Sequence, residues 1–142
     1  MGQPFVRAAA TSAVTALWLL SEPLAATAQD PNRPAEPPPE TRLLQNPMKS
    51  DGRTIERGKK LFQVHCVPCH GQTGAGDGSM AQKLGYKPRN LTLERMNQLA
   101  DGEIFWKVSK GTAPMPAFEE ELSARERWDL VSYVRTLVRL IQ

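Results

Sequence analysis

Five consecutive residues, Cys66-Val67-Pro68-Cys69-His70, hold both cysteines of the chain and one of its two histidines. Three chemistries use these residue types at close spacing. Two thiols three positions apart can add to the two vinyl groups of one porphyrin, leaving the next residue, a histidine, under the metal as an axial ligand. Cys-x-x-Cys-His is the signature of such c-type haem attachment. A Cys-x-x-Cys pair can also cycle between dithiol and disulfide, and Cys-Val-Pro-Cys has that form. That chemistry usually follows a strand in a βαβ unit, whereas here a helical pattern precedes the motif and a glycine-rich loop follows it. Zinc is the third reading. His65, Cys66, Cys69 and His70 supply four donors, but a tetrahedral site draws its ligands from separated segments. Spacing favours haem, and His65 then reads as a solvent-facing residue at a helix end.

Haem iron takes one ligand on each face. With His70 on one face, the other falls to His65 or to one of five methionines, or stays open. Met1 lies in an apolar leader and Met48 in a proline-rich stretch. Met96 falls in a helical stretch, where it reads as core filling. Met80 follows His70 by ten residues, and an extended reach of roughly 33 Å does not exclude it; its glycine-rich approach gives no rigid placement. Met115 stands between Pro114 and Pro116, so less ordering entropy remains to be lost on ligation. It is the preferred distal ligand. Histidine–methionine ligation favours reduced iron and leaves no vacancy for oxygen or peroxide. The expected function is outer-sphere electron transfer, not enzymatic chemistry on a substrate.

Helices must position these groups. Residues 54–65 carry Ile55, Gly58, Leu61, Phe62 and His65 at three- and four-residue spacing, which predicts a helix ending at the motif. Gly58 inside it costs about 1 kcal/mol relative to alanine and is read as permitting close helix contact. Residues 71–78, GQTGAGDG, are loop. They are no phosphate-binding loop, because no strand precedes them and no Lys-Ser/Thr pair follows. A short helical turn is expected over 79–86, stopped by Pro88. A further helix is expected over 102–110, with Asp101 as N-cap, Gly111 as C-cap, and Ile104, Phe105 and Val108 facing inward. Ser123 and Glu126 form a capping box for a last helix. Its stripe is Trp128, Val131, Val134, Leu137, Val138 and Ile141. No strand and no repeat is evident.

The remaining sequence bounds location and partners. The chain has 142 residues and a formal net charge of +3, too small to argue for nucleic acid. Residues 1–28 read as a signal peptide, with an apolar run over 8–20 and a small-x-small site at Ala26-Thr27-Ala28. No cysteine follows that site, so a lipid anchor is not supported. The periplasm is the expected compartment. Residues 29–50 are proline-rich and expected to be extended, as a linker, tether or strap. The folded domain is expected over 51–142. Its few aromatics suggest that a porphyrin supplies the missing centre. Lys59, Lys60, Lys83, Lys87, Lys107 and Lys110 either ring a haem edge or form an ordinary solvated face. Glu119, Glu120 and Glu121 suit the N-terminus of the last helix.

Residues 51–142 resemble a class I cytochrome c. The resemblance rests on Cys66-Val67-Pro68-Cys69-His70-Gly71, the GQTGAGDG loop, Lys87-Pro88-Arg89-Asn90-Leu91, DGEIFWKVSKG, Met115 within PMPAF, and LSARERWDLVSYVRTL. It implies a small all-α fold, three to five helices wrapped around one covalently bound haem c and its iron. The first and last helices would cross at Gly58, Phe62 and Tyr133. It further implies that Cys66 and Cys69 bind the haem and that His70 and Met115 ligate iron. By the same resemblance the Pro88 carbonyl receives the His70 N–H, and Arg89 and Trp106 approach the propionates. Within the family, Asn46-Pro47, the glycine loop and the DGEIF…MPAF…ERW tail are most similar to the monohaem cytochrome c subunit of alternative complex III, a membrane quinol-oxidising assembly. That implies redox protein partners and membrane association through other subunits, the proline-rich segment or a retained leader. A free soluble carrier and a cytochrome subunit of a periplasmic dehydrogenase are the alternatives.

Overall fold

Asp51 begins the first helix. Its carboxylate accepts the Thr54 N–H at 2.9 Å, satisfying one of the donors a helix N-terminus leaves open. In the computed structural model, which describes Gly2 and residues 36–139, this is α1, Gly52–His65. The rest of the expected leader, residues 29–35 and Ile141 lie outside the described residues. Four more helices follow: α2, Val67–His70; α3, Ser79–Lys83; α4, Asp101–Lys110; and α5, Ala124–Arg139. Two 3-10 turns, Pro39–Leu43 and Glu94–Gln98, complete the elements. Among the described residues there is no strand, only a Thr112–Met115 bridge. The fold is all-α, as the periodicity predicts.

Packing of α1 on α5 makes the frame. Phe62 is buried on α1 and its ring lies 5.2 Å from Tyr133 on α5, tilted by 59°. Arg57 grips Asp129 with two hydrogen bonds, Nε to Oδ2 at 2.7 Å and Nη2 to Oδ1 at 3.0 Å. Asp129 is only 1% exposed, so this forked pairing offsets the cost of burying its charge. The α5 stripe of Trp128, Val131, Val134, Leu137 and Val138 is buried as its period requires. Trp128 stacks on Phe105 at 4.0 Å. Ser123 and Glu126 cap α5 reciprocally: the Ser123 N–H donates to Glu126 Oε2 at 2.9 Å and the Glu126 N–H to Ser123 Oγ at 3.3 Å.

The start of α4 differs from expectation. Ala100, not Asp101, is the N-cap. Alanine offers no side-chain acceptor, and Glu103 instead reaches back to the Ala100 N–H at 2.7 Å. Asp101 is engaged elsewhere, accepting from Arg135 Nε at 2.7 Å. Arg135 also donates to the carbonyls of Met96 and Leu99, which ties α5 to the turn before α4. Met96 lies in the 3-10 turn rather than an α-helix, yet is buried in the core as expected.

The proline-rich stretch departs from a wholly extended chain. Pro39 opens a 3-10 turn, where its missing N–H costs nothing. This turn lies on α4. Thr41 is buried, and Arg42 Nε donates to Glu103 Oε1 at 3.0 Å. Asn46 Nδ2 then donates to the Trp128 carbonyl at 3.1 Å and to Ser132 Oγ at 2.9 Å.

Candidate functional site

The motif is set by the break between α1 and α2. Cys66 caps α1, its N–H donating to Phe62 O at 2.9 Å, and its own carbonyl receives the N–H groups of Cys69 and His70 at 3.1 and 2.7 Å. Both sulfurs and the imidazole therefore arise from one tight turn. The loop of 71–78 folds back beneath it: the Gly76 N–H donates to His70 O at 2.8 Å. Gly76 has φ of 84°, and a Cβ there would stand 2.7 Å from the Pro88 carbonyl oxygen. Glycine is required on both counts.

Met115 is presented by an equally defined loop. Gly111 ends α4 with φ of 64°, and the Thr112 and Met115 main chains exchange hydrogen bonds of 3.0 and 2.8 Å. The Phe118 N–H donates to the Val108 and Ser109 carbonyls at 3.2 Å. Phe118 is buried and anchors the far end of the loop.

Two adjoining cavities meet between these segments. One is a cleft of about 690 Å³. The other, about 540 Å³, has a mostly apolar lining that includes Phe62, Leu91, Ile104 and Val134. Cys66, His70, Arg89, Lys107 and Met115 line both. Cys69 and Pro88 line the larger. Trp106 lines neither; its ring instead carries the Lys107 ammonium at 5.7 Å from the centroid. Lys107, three residues after inward-facing Ile104, is the site residue that sequence reasoning singled out only as a member of a surface ring. Met80 is 45% exposed and lines neither cavity.

His65 is not solvent-facing. Its side chain is 18% exposed, its ring meets Phe118 edge-on at 5.7 Å, and Nδ1 lies 3.3 Å from Glu121 Oε1. The six lysines divide between the two readings, with Lys83 exposed on α3. Lys87 and Lys107 line the larger cleft, Lys110 pairs with Glu119 at 2.8 Å, and Lys59 and Lys60 are exposed on α1.

The electrostatics favour ligation over thiol exchange. Burial, and then the neighbouring Cys69, push the Cys66 thiol up to about 12. A dithiol redox centre needs a depressed thiol pKa, so that reading loses ground. Burial lowers the pKa of His70, against an opposing pull from the Arg89 backbone; a neutral imidazole is the form that binds metal. His70 Nδ1 is buried without a hydrogen bond of ordinary geometry. The backbone group acting on the ring is that of Arg89, while the Pro88 carbonyl faces Gly76. Two thiols, an imidazole, a thioether and an apolar cavity are a donor set that fits haem.

The comparisons agree with this chemistry. Residues 53–134 match the family model described as Cytochrome C oxidase, cbb3-type, subunit III. The cytochrome bc1 complex cytochrome c subunit of Corynebacterium diphtheriae is 32% identical over 87 residues, 61% of this chain and 28% of that protein. The chain thus spans less than a third of that relative's length. Cytochrome c6 of Synechococcus elongatus is 31% identical over 80 residues, 56% of this chain and 86% of that protein. A solved chain of the Kuenenia stuttgartiensis reducing HAO-like protein complex superposes with a TM-score of 0.56 at 34% identity, covering 65% of this chain and 47% of that one. The KustC0563 c-type cytochrome gives a TM-score of 0.50 at 30% identity, covering 56% and 95%.

Proposed function

The chain belongs to the cytochrome c family of the cbb3-type subunit III model, whose members carry covalently attached haem c with its iron, and from that premise we propose that it is an exported single-haem electron-transfer protein. Cys66 and Cys69 would hold the haem through thioethers, and His70 and Met115 would ligate its iron. The observation carrying this reading is that Cys66, His70 and Met115 line both adjoining cavities. The haem, when bound, supplies a one-electron iron couple.

The chain's own residues do the rest. Burial lowers the pKa of His70 and so favours the neutral imidazole that can donate its nitrogen to a metal. The hydrogen-bonded Thr112–Met115 loop holds the thioether with little left to order. Phe62, Ile104 and Val134 give the smaller cavity apolar walls, which would keep water from a bound haem, limit solvent reorganisation and raise its potential. With His70 and Met115 both as ligands, the iron would offer no open position to a substrate, and the protein would relay electrons rather than act as an enzyme.

The preferred setting is the periplasm, as a subunit of a respiratory membrane complex similar to alternative complex III. A relative named as a bc1 complex subunit supports complex membership. No helix among the described residues is long and apolar enough to cross a membrane, so association runs through partner subunits or the N-terminal segment. Cytochrome c6, most of which this chain covers, favours the second reading, a free soluble carrier; a cytochrome subunit of a dehydrogenase is a third setting. Spectroelectrochemical titration of the purified protein tests the common core. A single one-electron wave is expected, with no rapid cyanide binding to the oxidised form. Rapid cyanide binding would contradict the closed, bis-ligated site.

A further inference from the structure

Residues 36–46 lie N-terminal to the family match, which begins at residue 53, yet they form one side of the smaller cavity. Glu36, Pro37, Pro39 and Arg42 line it together with Leu91 and Met96. The segment is fastened at three places. Gly102 on α4 leaves no room for a side chain: a Cβ there would stand 2.0 Å from Thr41 O and 2.6 Å from Leu44 Cβ. Arg42 pairs with the buried Glu103 at 3.0 Å. Asn46 holds Trp128 O and Ser132 Oγ on α5.

The charges on this side are also arranged. Lys107 and Arg89 line both cavities, and their like charges act on one another. Glu36 acts on Lys107 with the opposite sign. A haem carries two carboxylates of its own, and a porphyrin spanning both cavities would bring them within reach of these cations. Glu36 then adds a further negative charge at the same end.

We propose that residues 36–46 are a built-in wall of the haem site, which keeps water from the apolar cavity and sets the Glu36 carboxylate beside the Lys107–Arg89 pair. The proposal rests on the haem-binding function above. Its two consequences have opposite signs. Excluding water raises the reduction potential. A nearby negative charge stabilises oxidised iron and lowers it.

Gly102→Val in the full chain tests the wall, because the atoms its side chain would meet belong to the strap. The double variant Arg42→Ala/Asn46→Ala releases the same segment without adding bulk. Both should keep the wild-type haem content and become cleavable within 36–46. Reduction by ascorbate should quicken about threefold or more, and, with each latch variant compared in a Glu36→Gln background so that the strap's charge is absent from both proteins, the equilibrium with a one-electron mediator should shift about threefold toward the oxidised form. Glu36→Gln should leave the strap protected and shift that equilibrium toward the reduced form, by an amount that shrinks in high salt. Strap cleavage with unchanged reduction rate and equilibrium would overturn the proposal, as would strap protection that neither latch variant weakens. A wild-type protein without haem would instead defeat the parent reading.

Discussion

A Cβ added to Gly58 would stand 2.1 Å from the carbonyl oxygen of Asp129 and 2.9 Å from Tyr133 Cβ. The first and last helices cross at this point because one of them has no side chain there. Since α1 runs directly into Cys66, the crossing also fixes where the motif begins.

Gly58→Val should push the helices apart. The obstruction is backbone, which cannot rotate away, so the cost should be at least the 1–3 kcal/mol typical of overpacking, about 2 kcal/mol or more. Thermal unfolding of the holoprotein measures it. A melting temperature within a degree of wild type would mean that this crossing is looser than described.

Stability should fall on the acid side through Glu103. Burial alone would raise the pKa of this carboxyl, but the Ala100 N–H and Arg42 outweigh it and hold it below the ordinary 4.5. The folded state thus binds this proton less readily than the unfolded state. The resulting stability is present above pH 4.5 and is lost as pH falls through the lower folded value. Glu103→Gln should flatten this acid limb and leave the neutral-to-alkaline side of the melting profile parallel to wild type. An acid limb equally steep in the variant would assign the loss to other carboxylates, such as Glu126, which Ser123 also holds below its usual range.

Met115→Ala should leave haem attached through Cys66 and Cys69 while removing the far-red absorption of thioether-bound ferric iron. Added imidazole should bind about tenfold more tightly or better, since no internal ligand competes. Met80→Ala, at a methionine 45% exposed and outside both cavities, should change neither property. The opposite pattern would move the distal ligand to Met80.

The frame was legible because period and capping chemistry are local. The α5 stripe and the Ser123–Glu126 box follow from spacing alone, and the meaning of Gly58 from the cost of keeping a glycine inside a helical pattern. Misplaced features depend on partners distant in sequence. Asp101 has the right chemistry for an N-cap, but Arg135, 34 residues on, claims its carboxylate. His65 looked exposed because Phe118 and Glu121 come from a loop that closes over it. Proline content argued for an extended stretch over 29–50, and nothing local announced that Gly102 would receive Thr41. At the site, motif spacing singled out Cys66, Cys69 and His70, and the flanking Pro114 and Pro116 singled out Met115. Which α4 side chain lines the cavity was a question of helix phase, and it favours Lys107 over Trp106.

Covalent attachment is the claim on which the rest depends. Protein purified from cells able to mature c-type cytochromes should be denatured and treated with an alkylating reagent, and its intact mass and pyridine haemochrome spectrum recorded. The account predicts one haem per chain that survives denaturation, with Cys66 and Cys69 both closed to alkylation. A colourless chain carrying two alkylated cysteines would contradict it.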